Sequence, residues 1–391
     1  MEEWKEIKVG DIGRVITGKT PKTSNSTYYG GNIPFLTPSD DMSVKYVRDT
    51  KKHITEEGRN SVKNATLPAN AICVSCIGSD LGKVVITTKE TVTNQQINSI
   101  IVDETKFDVD YIYYAMIELG KVLNFHSKTS TAVPIVNKSS FSQYAILCPP
   151  LNVQKKIGTL LSSIDRKIEA NEDINNNLEQ QMSALYKSWF VDYTPFDGIK
   201  PETWIESDIY SISNIIYGAP FKSKLFNTEK IGKPIIRIRD LKEQAFVTYT
   251  TEEHPKGYSL QYGDIVVGMD GEFRPYIWGN EEAWLNQRVC VFNNKRQKGK
   301  AFLLYTLKPL LNHIEQTQVA TTVIHIGKKD FDAFKLYLPD NKVLDEFDEI
   351  TSPMIWQIVN NSLENKRLAI LRDSLLPKLM SGEIDVSEIT I

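Results

Sequence analysis

The sequence predicts an α+β fold in which two tandem mixed, mainly β domains are separated by two long antiparallel helices. The helices are expected to form an intramolecular coiled coil with pseudo-two-fold symmetry. Two observations lead to this prediction: the chain repeats itself at an offset near 190 residues, and each copy ends in a long stretch with helical apolar spacing. The predicted boundaries are 1–150 for the first domain, 151–192 for the first helix, 193–340 for the second domain, and 341–391 for the second helix and C-terminal tail.

Length and composition agree with several ordinary folded domains. A chain of 391 residues exceeds the usual size of a single hydrophobic core. Its composition, 41% apolar and 24% charged with 21 Gly and 17 Pro, excludes disordered, collagen-like and purely coiled-coil proteins. The polar N-terminus is unlike a signal peptide, and no apolar run approaches the roughly 20 residues that span a bilayer. We therefore expect a cytoplasmic protein without a membrane partner.

The repeat is visible in landmark residues of both halves. Trp4 corresponds to Trp204 at an offset of 200, and the offset shrinks along the chain to 190 at Thr131 and Thr321. It then stays at 190 into the segments beyond Pro149. A constant offset predicts an element without insertions, and the tail of each copy is therefore expected to be rigid.

Each tail has the apolar spacing of a helix. Apolar residues recur three and four apart from Val153 to Trp189 and again from Val343 to Leu379. Such a stripe needs a partner, and its own repeat supplies the simplest one. Pro353 is expected to break or kink the second helix.

Four asparagines interrupt the apolar stripes near mid-helix. Asn171 and Asn361 occupy equivalent places, as do Asn175 and Asn365. In an antiparallel pair Asn171 and Asn361 fall beside the two-fold axis, where a polar pair can fix the register. The alternative is a solvated polar turn in an Asn-rich stretch.

The segments between the helices are rich in β-branched and aromatic residues with Gly, Pro and Asn breaks, as in mixed, mainly β domains. Short helices are predicted near Phe107 and near Lys298. Cys73 and Cys76 have the spacing of metal ligands, but they lie in an apolar run and no second pair follows, so a buried strand is the favoured interpretation and no metal site is predicted.

Motifs for catalysis are missing from the sequence. It contains no phosphate-binding loop, no dinucleotide fingerprint, no HExxH and no Gly-x-Ser-x-Gly. The five histidines are isolated from one another. We therefore expect no catalytic residues in this chain.

Charge divides unevenly along the chain. The first helical segment, 151–192, carries 5 Lys/Arg and 6 Asp/Glu, and the second, 341–391, carries 5 and 9. The helical segments therefore have a net charge of -5, and the two domains together have +2, which gives the total of -3. Basic residues cluster between Ala219 and Lys242 and in the run NNKRQKGK, which contains Lys295, Arg296, Lys298 and Lys300. Such runs, interleaved with aromatic and hydrogen-bonding residues, are typical of phosphate anchoring and base-edge reading. A solvated surface is the alternative.

Four phrases in the sequence carry a resemblance to a known family. They are GRVITGKTPK from Gly13, TNQQIN from Thr93, LYKSWFVDYTPF from Leu185 and ENKRLAILRDSLLPKLMSGEI from Glu364. With the tandem arrangement, they make the whole chain resemble the specificity subunit of a type I restriction-modification system. The second copy departs from the pattern, since it reads IIYGAPF for VITGKTP.

The resemblance implies a noncatalytic reader of double-stranded DNA. Each domain would be a target recognition domain for one half of a bipartite target, and the helices would set the half-site spacing. The resemblance also implies two methyltransferase subunits docked on the helices, and a restriction translocase can join them. This subunit would bind no cofactor, because S-adenosylmethionine belongs to the partner methyltransferase.

By family position the resemblance gives a set of DNA-facing residues, favoured because Asn and Gln pair with adenine and Arg pairs with guanine. In the first domain they are Lys19, Thr20, Lys22, Ser39, Asp40, Ser79, Asn94, Gln95, Gln96, Lys128, Thr129 and Ser130. In the second they are Tyr217, Lys222, Arg237, Arg239, Asp240, Asp270, Arg274, Asn286, Gln287, Arg288, Thr321 and Thr322. For Asn94-Gln95 and Asn286-Gln287 the alternative is a polar pair that satisfies a buried turn.

Two other function classes remain open on the sequence. A protein-interaction scaffold could also separate two modules by a coiled coil. Salt separates this class from the DNA reader, because DNA binding weakens steeply as counterions are released. A hydrolase would need a catalytic cluster that the sequence does not contain.

Overall fold

The computed structural model describes residues 4–78, 81–128, 135–317 and 325–386, without the side chains of 126–128. The chain divides into two compact units. One contains Met1–Arg166 and Leu368–Ile391, and the other contains Lys167–Arg367. The division falls inside the two long helices, so each unit holds one β-rich domain and part of both helices.

The first unit is built from short strands and helices. Its strands are β1 (Lys5–Lys8), β2 (Gly13–Thr17), β3 (Tyr29–Leu36), β4 (Tyr46–Val47), β5 (His53–Ile54), β6 (Thr66–Leu67), β7 (Ile72–Ser75), β8 (Val84–Thr87), β9 (Thr91–Thr93), β10 (Ile97–Val102) and β11 (Ala145–Cys148). Its short helices are α1 (Val9–Ile12), α2 (Glu56–Ser61), α3 (Val109–Lys128) and α4 (Lys138–Gln143). The first long helix, α5, is Leu151–Phe190.

The second unit repeats this pattern. Its strands are β12 (Ile205–Asp208), β13 (Ser213–Tyr217), β14 (Phe226–Asn227), β15 (Lys233–Ile236), β16 (Thr248–Thr250), β17 (Ile265–Gly268), β18 (Pro275–Ile277), β19 (Trp284–Leu285), β20 (Val289–Asn294) and β21 (Lys335–Leu338). Its short helices are α6 (Lys300–Thr317) and α7 (Lys328–Phe331), and the second long helix, α8, is Asn341–Met380.

The sheets of the two units share a common plan, although the main sheet of the first unit has one more strand. The first unit orders its main sheet β2-β10-β7-β8-β4, and the second orders its main sheet β13-β20-β17-β18. Each unit has another sheet with a parallel pair, β3 with β9 and β15 with β19. A short antiparallel pair, β1 with β11 and β12 with β21, joins the two ends of each domain. The tandem, mainly β prediction is therefore confirmed.

The core of each unit lies between its main sheet, one helix of the domain and the long helices. In the first unit α3 buries Tyr111 and Tyr114 beside strand residues such as Ile72, and Ile157 of α5 and Leu379 of α8 join the same cluster. In the second unit α6 buries Phe302 with Phe190 of α5 and Phe347 of α8. Both short helices lie where the sequence predicts them.

Within each unit α5 and α8 run antiparallel. In the first unit Asp165 pairs with Arg372 at 2.8 Å, and in the second the ring of Trp189 packs against Phe347. The coiled-coil prediction is confirmed. The expected break at Pro353 is wrong, because α8 continues through that position. Packing of Ile355 and Phe347 into the core supports this turn of the helix, although proline lacks an amide hydrogen.

The cysteines behave as buried apolar residues. Cys73 lies in β7 and is 0% exposed, and Cys76 follows at 1%. Burial raises the pKa of the Cys73 thiol to about 12 and that of Cys76 to about 11. Among the residues that the structure describes, no group of His, Cys, Asp or Glu is placed to hold a metal ion. In the same part of the chain, no helix is both long and apolar enough to cross a bilayer.

Candidate functional site

The first unit brings two of the sequence-predicted segments together. The loop 18–22 after β2 lies against the turn 94–96 before β10. Lys19 donates its backbone N–H to the carbonyl of Thr93 at 2.8 Å, and the Thr20 hydroxyl donates to Oε1 of Gln95 at 2.7 Å. These bonds fix the loop while the side chains of Lys19, Lys22 and Gln95 stay exposed.

The second unit contains the same pair of loops. Ala219 donates its N–H to the carbonyl of Leu285 at 3.0 Å, which holds the loop after β13 against the turn 286–288. Tyr217 and Lys222 on this loop are exposed, and so are Gln287 and Arg288 on the turn. Burial of part of its ring raises the pKa of Tyr217 to about 12.

A glycine permits the close approach in each unit. A Cβ on Gly18 would lie 2.1 Å from the carbonyl oxygen of Asn94, and one on Gly218 would lie 2.0 Å from that of Asn286. Real Cβ contacts are never this short, so a side chain at either position would separate the loop from the turn. The paired loops are thus a repeated structural feature.

Two predicted acids close turns instead of facing solvent. Asp40 is 8% exposed, and its carboxylate accepts the N–H of Thr37 at 2.8 Å and that of Lys51 at 2.7 Å. Asp240 is 3% exposed and accepts the N–H of Arg237 at 3.0 Å. Burial raises the pKa of Asp240. For both residues the structure favours a structural role over DNA contact.

The repeated Asn-Gln pairs are predicted from the sequence either to contact bases or to satisfy a buried turn, and their asparagines and glutamines differ in this respect. Asn94 is 8% exposed, donates to Oε1 of Gln96 at 2.9 Å and accepts its N–H at 3.1 Å, as expected for a buried turn. Asn286 is half-buried and accepts the N–H of Gln287 at 2.8 Å. The glutamines of the two pairs, Gln95 and Gln287, are exposed on these turns and remain candidates for base contact.

Asp270 and Arg288 form a cluster with a histidine that the sequence analysis does not single out. His325 Nδ1 lies 2.6 Å from Oδ1 of Asp270 and 3.1 Å from a guanidinium nitrogen of Arg288. Arg288 also lies 3.6 Å from Oδ2 of Asp270. The cluster holds the half-exposed guanidinium of Arg288, at the end of the turn 286–288, where it can donate to a base edge or a phosphate.

Arg274 is held by an acid of α6. Its guanidinium pairs with Glu315 at 2.7 Å, which raises the pKa of Arg274, and the same carboxylate accepts the N–H of Phe273 at 2.7 Å. Arg274 lines a cleft of about 1000 Å³ with Lys242 and Lys308.

The other described candidates are exposed or half-buried. Arg239 is exposed and donates to the Thr248 hydroxyl at 3.4 Å, while Arg237 is half-buried. Ser39 is exposed beside the Thr37 hydroxyl at 2.7 Å. Ser79, Thr129, Ser130, Thr321 and Thr322 lie outside the described residues, and of Lys128 only the backbone, at the end of α3, is described.

The basic run NNKRQKGK makes several contacts within the protein. Arg296 bonds Asp345 and Asp348 of α8, the latter at 3.1 Å, and Lys298 pairs with Glu349 at 2.6 Å. Lys300 donates to the carbonyl of Gly263 at 2.7 Å. Arg296 and Lys298 hold the second domain on α8, so for these two cations the structure favours a structural role over phosphate anchoring.

Two depressions of the first unit add residues that the sequence analysis misses. One, about 340 Å³ in volume, lies beside the loop 18–22 and is lined by Lys19, Asn60, Ser61, Lys63 and Asn64 among others. Another, about 640 Å³, is lined by Thr23, Tyr29, Lys51, Lys52 and His53 with two glycines. The polar stretch Asn60, Ser61, Lys63 and Asn64, with its one lysine, is the signal that could have indicated the first.

The four mid-helix asparagines lie between α5 and α8. Asn171 is 1% and Asn361 4% exposed, so neither belongs to a solvated turn. Asn171 does not face Asn361 directly: it donates to Asn365 at 2.8 Å, and Asn361 donates to Asn175 at 2.8 Å. The two bonds are equivalent under the repeat, as expected on either side of a two-fold axis.

Comparison with known proteins gives consistent results. Residues 1–180 and 201–366 match the family described as the type I restriction modification DNA specificity domain. The specificity subunit of the type I restriction enzyme MjaIX of Methanocaldococcus jannaschii is 27% identical over 99% of this chain and 95% of its own. The EcoBI specificity subunit of Escherichia coli is 37% identical over 35% of this chain and 29% of its own.

A solved structure shares the fold. The type I restriction-modification S subunit of M. genitalium aligns over 97% of this chain and 96% of its own, with a TM-score of 0.58 and 16% sequence identity. At that identity the similarity concerns the architecture alone. It supports the arrangement of two β-rich domains with two long helices.

Proposed function

Because the chain belongs to the type I restriction modification DNA specificity family, and is thus a noncatalytic, DNA-recognising specificity subunit, we propose that each unit reads one half of a bipartite target. The observation that carries this proposal is the repeated pair of loops. Loop 18–22 lies beside turn 94–96 in the first unit, and loop 217–222 lies beside turn 286–288 in the second. Two copies of one reading surface with different side chains suit two different half-sites.

The chemistry of the exposed side chains supports base and phosphate contacts. Gln95 and Gln287 offer a donor and an acceptor on one planar group, which suits adenine. Arg288 offers the fork that suits guanine, and its contacts with Asp270 and His325 orient it. Lys19, Lys22 and Lys222 are exposed lysines that suit phosphates.

Selection from a pool of random duplexes tests this proposal. The full chain, assembled with its methyltransferase partners, should enrich a motif of two fixed blocks separated by unspecified bases. Arg288→Ala should relax one block and leave the other intact, and Gln95→Ala should do the reverse. Lys342→Ala is the matched control, because this lysine is exposed at the start of α8. A single contiguous motif, or a variant that relaxes both blocks, contradicts the proposal.

We further propose that the long helices set the half-site spacing and dock two methyltransferase subunits. Exposed apolar side chains on α8 support docking, since Ile370 is 70% and Leu371 46% exposed. In such an assembly the partner, and not this chain, binds S-adenosylmethionine, and a restriction translocase can join. Replacing Ile370 and Leu371 with Asp should reduce the number of methyltransferase subunits that co-purify with each chain without changing the unfolding midpoint. An unaltered stoichiometry would place the contact elsewhere.

Salt dependence distinguishes this function from a protein scaffold. Neutralisation of several phosphates makes the affinity fall steeply with salt concentration, whereas an apolar protein interface does not. Binding of the selected duplex measured between about 50 and 200 mM salt should therefore weaken by orders of magnitude. A flat profile would favour the scaffold.

A further inference from the structure

One contact between a domain and a long helix differs in charge between the two units. In the first unit the domain supplies an acid: Asp108 caps α3 by accepting the N–H of Tyr111 at 2.9 Å, and it lies directly over Gly158 of α5. A Cβ on Gly158 would come within 2.4 Å of Oδ1 of Asp108. Burial raises the pKa of Asp108, and the hydrogen bond from Tyr111 and the positive charge of Lys155 on α5 are smaller effects that oppose it.

In the second unit the helix supplies the acids and the domain supplies the cation. Arg296 donates to Asp348 of α8 at 3.1 Å and pairs with Asp345. Asp348 is 2% exposed, and one of its oxygens lies 3.4 Å from where a Cβ on Gly299 would be. Gly299 comes immediately before α6, and Asp108 comes immediately before α3. The backbone carbonyl of each accepts the N–H of the residue four positions later, Leu303 and Ile112 respectively.

The repeat makes these positions equivalent. At the helix offset of 190, Gly158 corresponds to Asp348 and Lys155 to Asp345. The carboxylate and the glycine have therefore changed places: Asp108 lies over Gly158 in one unit, and Gly299 lies over Asp348 in the other. The charge of the neighbouring helix residue has reversed as well.

A second set of contacts, at and between the long helices, differs between the units in polarity. In the first unit Lys45 donates to Ser162 at 2.7 Å, and Asp165 pairs with Arg372 at 2.8 Å. The counterparts of Asp165 and Arg372 in the second unit are Ile355 and Met182, both 0% exposed in its apolar core. One docking surface is polar at this point and the other is apolar.

We infer that the two recognition domains are not interchangeable, because each fits only its own helical segment. This inference rests on the proposed function for its consequence: the chain fixes which half-site lies on which side of the target. Exchanging the domains would place Asp108 against Asp348 and Asp345, and Arg296 against Lys155. The Asp108–Asp348 contact is the desolvated one, since Asp348 is 2% exposed, and two like charges there exclude the wrong arrangement more strongly than the right contacts stabilise the correct one.

Domain-exchanged chains test the inference. In one chain the segments 4–148 and 204–338 change places while both long helices stay unaltered. Its unfolding midpoint should be lower than that of the native order by roughly 5 °C or more. Adding Lys155→Asp, Gly158→Asp, Asp345→Lys and Asp348→Gly should recover much of the loss. The same four substitutions in the native order are the matched control and should lower the midpoint.

A double-mutant cycle in the chain with its native domain order tests the inference if no exchanged chain folds. Gly158→Asp alone should lower the midpoint, and adding Asp108→Gly should recover part of it, because the pair then resembles Gly299 and Asp348. Equal midpoints for the native and exchanged orders, or no recovery in the cycle when the exchanged chains do not fold, would overturn the inference.

The DNA readout separates this inference from the proposed function. The recovered exchanged chain should select the same two blocks in reversed order. If the native chain selects no bipartite motif, the proposed function fails while the unfolding midpoints still decide whether the domains are interchangeable.

Discussion

Asn171 donates a 2.8 Å hydrogen bond from Nδ2 to Oδ1 of Asn365. The repeat generates a second bond of the same length, from Asn361 to Asn175. Asn171 also donates to Glu364, and Asn365 donates to the carbonyl of Ile168 at 3.3 Å. A shift of one helix along the other would leave these buried amides without partners, which is costly. The asparagines therefore specify the register at the centre of the helix pair.

Replacing Asn171 and Asn361 together with Ile should destabilise the chain. The substitution removes the Asn171–Asn365 and Asn361–Asn175 hydrogen bonds, and each is expected to contribute about 0.5–1.5 kcal/mol because Asn365 and Asn175 are half-buried. Denaturant unfolding measures the loss. Asn176→Leu is the control, since Asn176 is exposed on the same helix. An unchanged free energy of unfolding in the double variant would show that the asparagines do not fix the register.

The same contacts make stability depend on pH. Hydrogen bonds from Asn171 and Lys167 lower the pKa of Glu364. A carboxyl group whose folded-state pKa is lowered stabilises the fold above its ordinary pKa, and this contribution is lost as pH falls through the lowered value. Asn171→Ile should therefore raise the pKa of Glu364 and weaken the stability loss on acidification. Carboxyl NMR titration measures the first effect; an unaltered titration would contradict the assignment.

Much of the fold could be predicted because its signals are local or repeated. The apolar spacing from Val153 to Trp189 needs only the sequence of one helix, and the match of Thr131 with Thr321 needs only the repeat. Pro353 misleads because tertiary packing overrides a local preference: α8 continues through it. The helices near Phe107 and Lys298 follow from the same apolar spacing.

The candidate site could be predicted only in part, because exposure depends on distant residues. Asp40 and Asp240 repeat at an offset of 200, as a binding residue would, but both close buried turns. The partners of Arg296 lie about 50 residues later in α8, which no local charge count can indicate. Lys63 lines the same depression as Lys19, although 44 positions separate them in the sequence, and only the tertiary structure shows this.

Arg296→Ala should destabilise the second unit without changing the salt dependence of DNA binding. The variant leaves Asp348 buried without its cation, and one of its oxygens already lacks a hydrogen-bond partner. The expected loss in free energy of unfolding is about 2–4 kcal/mol. Lys328→Ala, at an exposed pair on α7, is the control and should have little effect. A smaller slope of log affinity against log salt for Arg296→Ala would show that this basic run contacts DNA.

Lys63→Ala should weaken DNA binding by a similar factor for all sequences. Lys63 is an exposed cation that lines a depression with Lys19, so it is placed to contact a phosphate. Loss of one phosphate contact should reduce the slope of log affinity against log salt by about 1 and leave the selected motif intact. Lys106→Ala, an exposed lysine paired with Asp103, is the control. A change in the selected bases would instead assign Lys63 to base reading.

Matched insertions in the long helices should change the spacing of the target without changing its half-sites. Because α5 and α8 are antiparallel around the asparagines, a heptad in α5 alone would misalign Asn171 with Asn365. One heptad after Asp173 and one after Leu363 keep both asparagine bonds and add two turns to each helix. The added length of roughly 10 Å corresponds to about three base pairs. Random-duplex selection should therefore return both original blocks with about three more unspecified bases between them.

The single insertion in α5 is the control and should lower the unfolding midpoint. Altered blocks, or an unaltered spacing in the doubly extended chain, would show that the helices do not set the distance.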